Sequence, residues 1–414
     1  MKTGFTAAQL QNPRLKEADG ILRSCVHCGF CTATCPTYVL TGDERDSPRG
    51  RIYMIQEMLE KGGPPAPETV HHVDRCLSCL GCMTTCPSGV HYAHLVDQAR
   101  AHIETHHKRP LHERVLRSIL AKVLVHPTRM RLALQLAKMA RPFAKIFPPQ
   151  LQAMLALAPA HVPAAQSFTG EHKATVKTMR VALLTGCAQS VLDPEINAAT
   201  LRLLTRLGVE VVVPKGAGCC GSLSHHLGRQ DEAHRLAKAN VKAWRDANVD
   251  HVIINTSGCG TTVKDYAHAI GETGLSFLDV SELLTRLALP ALSPKNVKVA
   301  YHSACSLQHG QKLKTEPQAL LTRAGFTLTP IAEAHMCCGS AGTYNILQPQ
   351  MASQLGARKR ENILRAKPDV IAAGNIGCLT QIALGLNVPV LHSIELLDWA
   401  YGGPEPAKLK GLGK

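Results

Sequence analysis

Sixteen cysteines in a chain of 414 residues are the side chains most able to do chemistry, and their spacing sorts them into two populations. Eight lie in two short blocks, CVHCGFCTATCP from Cys25 to Pro36 and CLSCLGCMTTCP from Cys76 to Pro87, both spaced C-x2-C-x2-C-x3-C-P. The other eight form two quartets, Cys187, Cys219, Cys220 and Cys259, then Cys305, Cys337, Cys338 and Cys378, whose equivalent positions are offset by 118, 118, 118 and 119 residues. Thiolates are soft metal ligands and redox groups. The opening stretch MKTGFTAAQLQNPRLKEADG has no apolar leader, so the chain reads as cytoplasmic. Metal or redox work then explains the cysteines better than a disulfide framework.

The spacing of the two blocks is that of two-cluster ferredoxins, in which the fourth cysteine of each block ligates the cluster of the other. It predicts two [4Fe–4S] clusters, one on Cys25, Cys28, Cys31 and Cys86 and one on Cys76, Cys79, Cys82 and Cys35. Three thiolates two residues apart wrap a tight loop around three irons, Gly29 and Gly81 ease that loop, and the crossed cysteine reaches the fourth iron from the far side. Tetrahedral zinc is the alternative, but it usually pairs one C-x2-C with a distant second pair rather than using two complete four-cysteine runs. Between the blocks lie a charged turn, a predicted helix over Gly50–Leu59 and a Gly/Pro-rich loop. Arg49 and Arg51 there steer an acidic partner, stand near the reduced, more negative clusters, or are solvated surface side chains.

The matched offsets of the two quartets point to a duplicated domain. Each copy reads strand, cysteine, helix, strand, CCG, helix, strand, cysteine, with strands near Val181–Leu184, Val209–Val213 and His251–Asn255, then near Val297–Tyr301, Phe326–Pro330 and Val370–Ala373. The copies end alike, in VSELL and SIELL. Strands alternating with helices predict parallel α/β units, and a cysteine just after each strand places each quartet at the C-terminal edge of its sheet, where such folds bind ligands. Adjacent cysteines have Cα atoms about 3.8 Å apart, too close for an ordinary disulfide within Cys219–Cys220 or Cys337–Cys338. GAGCCG at Gly216–Gly221 matches a dinucleotide fingerprint, yet the second copy reads AHMCCG, so those glycines are assigned to the turn of the cysteine motif. The quartets are candidates for a further cluster, a redox dithiol or a substrate-handling site, against the plainer reading of small buried hydrophobes. His302, His335 and Gln308 lie near them in sequence, as proton carriers or as structural residues.

Stepping outward, four units are expected: a helical dicluster module over 1–95, a basic helical bridge over 96–178, and two α/β cysteine-rich repeats over 179–290 and 291–414. The fold class is therefore multidomain α+β and α/β, with parallel strands in the repeats. In the bridge Leu116, Ile119, Leu120, Val123 and Leu124 mark one apolar face, and prolines at 110, 127, 142, 148 and 149 cut it into short helices. Eleven Lys/Arg stand against Glu104 and Glu113 between Arg100 and Lys145, a large share of the net charge of +15. Such a basic amphipathic stretch suits an anionic membrane surface, a partner, or a solvated face. No recognition motif or aromatic interleaving supports nucleic acid. Nine histidines between His71 and His126 lack ligand spacing and read as surface residues. No flavin site and no acid–base constellation for attacking a 2-hydroxy acid is visible, so no catalytic residue is assigned.

Taken together, CVHCGFCTATCPTY, CLSCLGCMTTCPSGV, SPRGRIYMI, GCCG, TSGCG, LQHGQKL and CCGSAGTYN resemble the family of glycolate oxidase (glycolate dehydrogenase) iron–sulfur subunits over nearly the whole chain. More broadly they are similar to the cysteine-rich CCG-repeat proteins, which include heterodisulfide reductase subunits, the third subunit of anaerobic glycerol-3-phosphate dehydrogenase and lactate-utilisation proteins. The resemblance implies a complex in which FAD-bearing partner subunits, not this chain, oxidise glycolate to glyoxylate. It implies that this subunit passes electrons toward a quinone, held peripherally on the cytoplasmic face of the inner membrane. Related complexes oxidising D-lactate or glycerol 3-phosphate, or a heterodisulfide-reductase-like enzyme, are the alternatives. The chain departs from the heterodisulfide reductase pattern, whose repeats end in C-x2-C. Here Cys259 is flanked at those positions by Thr256 and Thr262, and Cys378 by Asn375 and Gln381.

Overall fold

The computed structural model describes residues 1–410 other than 272 and 288. The first 160 residues are helical. Proline opens the helices Pro13–Ser24, Pro36–Thr41, Pro48–Lys61 and Pro67–Asp74, where its missing N–H is one the first turn would leave unpaired anyway. Asn12 and Ser47 cap two of them, their side chains accepting from the Arg14 and Gly50 backbone N–H groups. These helices and Tyr92–His106 pack Leu22, Ile55, Val73, Leu95, Val96 and Ile103 into a core in which each is wholly buried. Each such aliphatic residue contributes roughly 1.5–3 kcal/mol. The helix Tyr92–His106 thus belongs by its packing to the N-terminal module, beyond position 95.

The bridge consists of Leu111–Val123, Pro127–Ala140, a 3-10 turn at Arg141–Ile146 and Pro149–Leu157, each helix starting at or just after one of the prolines. Among the described residues no helix is long and apolar enough to cross a membrane.

Two sheets follow. The first has the order β1-β3-β2-β4-β5, from β1 (Gly170–His172), β2 (Met179–Leu184), β3 (Val209–Val213), β4 (His251–Ile254) and β5 (Phe277–Asp279). All its pairs are parallel except β1 with β3. The second has the order β7-β6-β8-β9, all parallel, from β6 (Lys298–His302), β7 (Thr327–Leu328), β8 (Val370–Ala373) and β9 (Val390–His392). The expected strand at Phe326–Pro330 shrinks to two residues, and β1, β5 and β9 were not anticipated, since runs of three residues carry no readable alternation. VSELL and SIELL are helix starts, each locked by a capping box, Asp279 with Glu282 and His392 with Glu395.

The two repeats share one apolar core that runs without a break from Val181 and Leu183 through Val299, Leu321 and Ile371 to Leu397. They also touch at their cysteine-bearing ends. Gly260 and Gly310 come so close to the opposite copy that a Cβ would lie 2.4 Å from Gln311 Nε2 and 2.6 Å from Thr261 Oγ1 respectively. Ser257 and Ser306 hydroxyls hydrogen-bond at 2.7 Å across the same seam.

Candidate functional site: a chain of thiols from the module to the repeats

In the N-terminal module Cys25, Cys35, Cys76 and Cys82 are buried, Cys31, Cys79 and Cys86 are partly covered, and Cys28 is exposed. Burial pushes the Cys82 thiol well up, helped by the charges of Cys79, Cys76, Cys35 and Cys31. Cys79 is raised by burial too, then by Cys305 and Cys35. Cys31 is pushed up to about 11 by burial, with Cys25 adding to it. Cys25, Cys76 and Cys82 belong to one apolar core, with Cys31 and Cys86 packed against it.

The sulfurs also find donors. Tyr92 Oη donates to Cys76 Sγ at 3.7 Å, and the Ser78 backbone N–H at 3.5 Å. Arg51 Nη1 donates to Cys35 Sγ at 3.8 Å, and the Thr37 hydroxyl lies 3.2 Å from the same sulfur. Soft thiols crowded in a buried space, with N–H and O–H groups aimed at sulfur, fit an iron–sulfur cluster.

Arg51 is 1% exposed, so the solvated reading of that residue is overturned. Its guanidinium also donates to the His72 carbonyl at 2.7 Å and to Asp46 at 3.3 Å, and Asp46 in turn holds His72 Nδ1 at 2.8 Å and Arg75 at 2.9 Å. Arg49 remains at the surface and pairs with Glu44 at 2.7 Å. Two of the nine histidines depart from the surface expectation. His72 is buried in this network, and His94 is clamped between Glu17 and Asp265 at 2.8 and 3.2 Å while stacking on His268 at 3.6 Å between ring centroids. Both gain their partners only through tertiary packing, so no local spacing could have disclosed them.

In each repeat the quartet gathers at the C-terminal edge of its sheet. Cys187 and Cys305 follow β2 and β6 by three residues, while Cys259 and Cys378 sit in the helices Ser257–Lys264 and Ile376–Ala383 that follow β4 and β8. All sixteen cysteines are free, and the vicinal pairs form no disulfide. The sulfurs of Cys187 and Cys219 are 3.5 Å apart, as are those of Cys305 and Cys337. The CCG glycine has a double task. Gly221 and Gly339 take left-handed φ of 85° and 88°, and their N–H groups donate to Cys219 and Cys337 Sγ at 3.4 Å. Gly216, at a left-handed φ of 94°, lies in a separate turn just before the CCG segment, closed by the Ala217 N–H donating to the Pro214 carbonyl.

The copies differ at the sulfurs. His302 at the end of β6 is 1% exposed and stands with Cys338 and Cys378 in a group whose ligating atoms all lie within 4.8 Å; the position 118 residues earlier is Leu184. The neighbouring Cys337 and Cys378 thiols, then His302, hold the Cys338 thiol well below its usual range. By contrast Cys187, Cys219 and Cys220 are all raised. The Lys359 ammonium, 2% exposed, adds a positive charge beside Cys338, Cys337 and Cys305. His335 is exposed and its carbonyl accepts from His309 Nε2 at 3.1 Å, while Gln308 Nε2 donates to the Ser303 carbonyl at 2.9 Å.

The second repeat also meets the module directly. Cys79 and Leu77 pack in one cluster with Cys305, Cys337, Tyr344 and Met351. Thr84 Oγ1 donates to His309 Nδ1 at 2.7 Å beside the second block. Both quartets border one cavity of about 640 Å³, whose other wall is the bridge. The bridge carries eight of the thirteen large apolar side chains exposed among the described residues, from Leu111 to Ile146. Arg114, Lys122, Arg129, Lys138, Arg141 and Lys145 are exposed among them.

A helical module with two four-cysteine runs, joined to a duplicated α/β unit whose sheet edges carry further thiols, defines a dicluster iron–sulfur electron carrier. Residues 24–90 match the 4Fe-4S dicluster domain, and residues 181–264 and 299–383 match the cysteine-rich domain. The chain is 43% identical to the glycolate oxidase iron-sulfur subunit of Escherichia coli, over 97% of this chain and 99% of that one. It is 32% identical to the probable glycolate oxidase iron-sulfur subunit of Bacillus subtilis, over 97% and 99%. Lactate utilization protein A of Exiguobacterium is 26% identical over 53% of this chain and 96% of that one. The chain belongs to the family of glycolate oxidase iron–sulfur subunits, and its cofactors are two [4Fe–4S] clusters.

Proposed function

We propose that this chain is the electron-transfer subunit of a glycolate oxidase, in which FAD-bearing partner subunits oxidise glycolate to glyoxylate and this subunit leads the electrons toward a quinone. Cys25, Cys28, Cys31 and Cys86 would hold one cubane, and Cys76, Cys79, Cys82 and Cys35 the other; the spacing of the two four-cysteine runs supports the crossed assignment. When bound, the clusters accept single electrons and so divide the two-electron output of a flavin. The observation that carries the reading is the packing of Cys79 against Cys305 and Cys337, which makes the thiols continuous from the module into the second repeat. The second quartet, with His302 and Lys359 beside it, is the better suited of the two to hold a further cluster or a redox thiolate.

The exposed apolar stripe of the bridge, set among basic side chains, supports peripheral contact with an anionic membrane. Iron analysis of anaerobically prepared protein tests the core of the proposal. About eight irons per chain are expected if the module alone is loaded, and appreciably more if a repeat is loaded as well. Colourless protein carrying zinc in place of iron sinks it. Replacing Cys305 by Ser separates conduction from chemistry: turnover lost with both cubane signals intact places an essential redox group in the repeat.

A further inference from the structure

The cavity of about 640 Å³ is of a size that takes a small organic ligand rather than solvent alone. Its floor is made by the two thiol quartets, including Cys187 and Cys305, and one side by Leu80 of the second cluster block. Its roof is the inner face of the bridge, with Leu134 and Ala137. The roof helices are the same ones whose outer faces expose Leu132, Leu136 and Met139, and Ile119 both lines the cavity and is 45% exposed. Ile119 therefore joins the exposed surface of the bridge to a chamber floored by thiols. His94, Asp97, His225 and Asp265 border the same chamber and give it one polar, proton-bearing side.

We propose that this chamber binds the head of a lipophilic quinone, entering from the membrane past the bridge. The inference rests on the electron-transfer reading above and adds the place where the acceptor binds. A membrane-soluble two-electron carrier matches each feature of the chamber: apolar walls for the ring and tail, thiols on the electron-delivering side, and ionisable groups where protons are needed. The chemistry balances. Glycolate gives up two electrons and two protons in becoming glyoxylate, and the quinone takes up two electrons, arriving singly, and one proton on each carbonyl oxygen to become the quinol. A lipid acyl chain would fill the same walls but has no use for the thiols or the ionisable side.

The test uses the intact complex with its flavin subunits. A photoreactive azido-ubiquinone should label peptides within 119–157 or next to the quartets, and ubiquinone-1 should displace the label whereas dioleoyl phosphatidylcholine should not. Label confined to other surfaces or subunits, or displaced equally by the phospholipid, overturns the proposal. Leu134→Trp and Ala137→Trp, which fill the chamber, should each raise KM for ubiquinone-1 at least tenfold while glycolate still reduces the cubanes, read by EPR. An unchanged KM in both variants overturns it. If glycolate fails to reduce the cubanes of the unaltered complex, the electron-transfer reading falls. If it reduces them while labelling and KM go against the chamber, this inference alone falls.

Discussion

Arg51 Nη1 lies 3.8 Å from Cys35 Sγ, and both side chains are buried. A fixed positive charge at this distance favours the more negative, reduced state of any cluster that Cys35 ligates. Arg51→Met should therefore lower the midpoint potential of one cubane and leave the other nearly unchanged. A loss of about 1.4 kcal/mol of electrostatic support corresponds to about 60 mV for one electron, and a shift of at least that order is expected. An EPR-monitored redox titration reads it, and equal potentials in variant and wild type would remove Arg51 from any tuning role. The variant should also be less stable by about 3–5 kcal/mol, because Asp46 loses part of its buried charge compensation.

Gly339 and Gly221 should not tolerate a methyl group equally. At Gly339 a Cβ would stand 2.7 Å from the Ala352 carbonyl oxygen, and at Gly221 3.0 Å from that of Ala233. Left-handed backbone alone costs an L-residue about 1–2 kcal/mol, and the clash adds to it. Gly339→Ala should lower the melting temperature more than Gly221→Ala. The opposite order, measured by thermal unfolding of the iron-loaded protein, would show that the helix behind the second CCG turn yields more easily than its spacing implies.

The contact between the module and the first repeat should weaken at alkaline pH. Asp97 and His225 pair at 2.9 Å. Burial works against the Asp97 carboxylate, but the charge and hydrogen bond of His225 outweigh it and bring the group down to about 2, while the charge of Asp97 raises His225 above its ordinary 6.5. A raised histidine contributes stability that is complete below 6.5 and is lost as pH climbs through its folded value. A depressed aspartate contributes stability that is complete above 3.8 and is lost as pH falls toward 2. The pair thus supports the fold most between about pH 4 and 6.5. In Asp97→Asn the alkaline part of the melting-temperature profile should flatten, and a profile parallel to the wild type would contradict the assignment.

Binding to vesicles should depend on the outer face of the bridge. Leu136 and Phe143 are 57% and 61% exposed. Burying such a side chain in the interface is worth roughly 1.5–3 kcal/mol, so Leu136→Glu or Phe143→Glu should weaken association with phosphatidylglycerol vesicles about tenfold or more. High ionic strength should release part of the wild type as well. Vesicle sedimentation decides, and retention of full binding by both variants would assign membrane contact to another surface.

The cysteine blocks, the duplication and the helical bridge could be read from sequence because each rests on local spacing: C-x2-C-x2-C-x3-C-P, offsets of 118 residues, and prolines that start helices. The convergence of each quartet on a sheet edge followed from the alternation of strand and cysteine. Arg51 was ambiguous because nothing adjacent in sequence distinguishes a solvated arginine from one packed against Asp46, His72 and Cys35. The shared border of Cys79 and Cys305, the chamber roofed by the bridge, and the clasp of His94 by Glu17 and Asp265 join residues far apart along the chain. Such long-range meetings leave no periodicity to detect.

The unbroken interior that runs from Val181 to Leu397 makes the two copies one body. Cutting between them would strip each half of the partner that keeps its oily flank dry, yielding two aggregating stumps instead of two working modules. The two halves of this fused body differ at the rim, where one has Leu184 and the other His302.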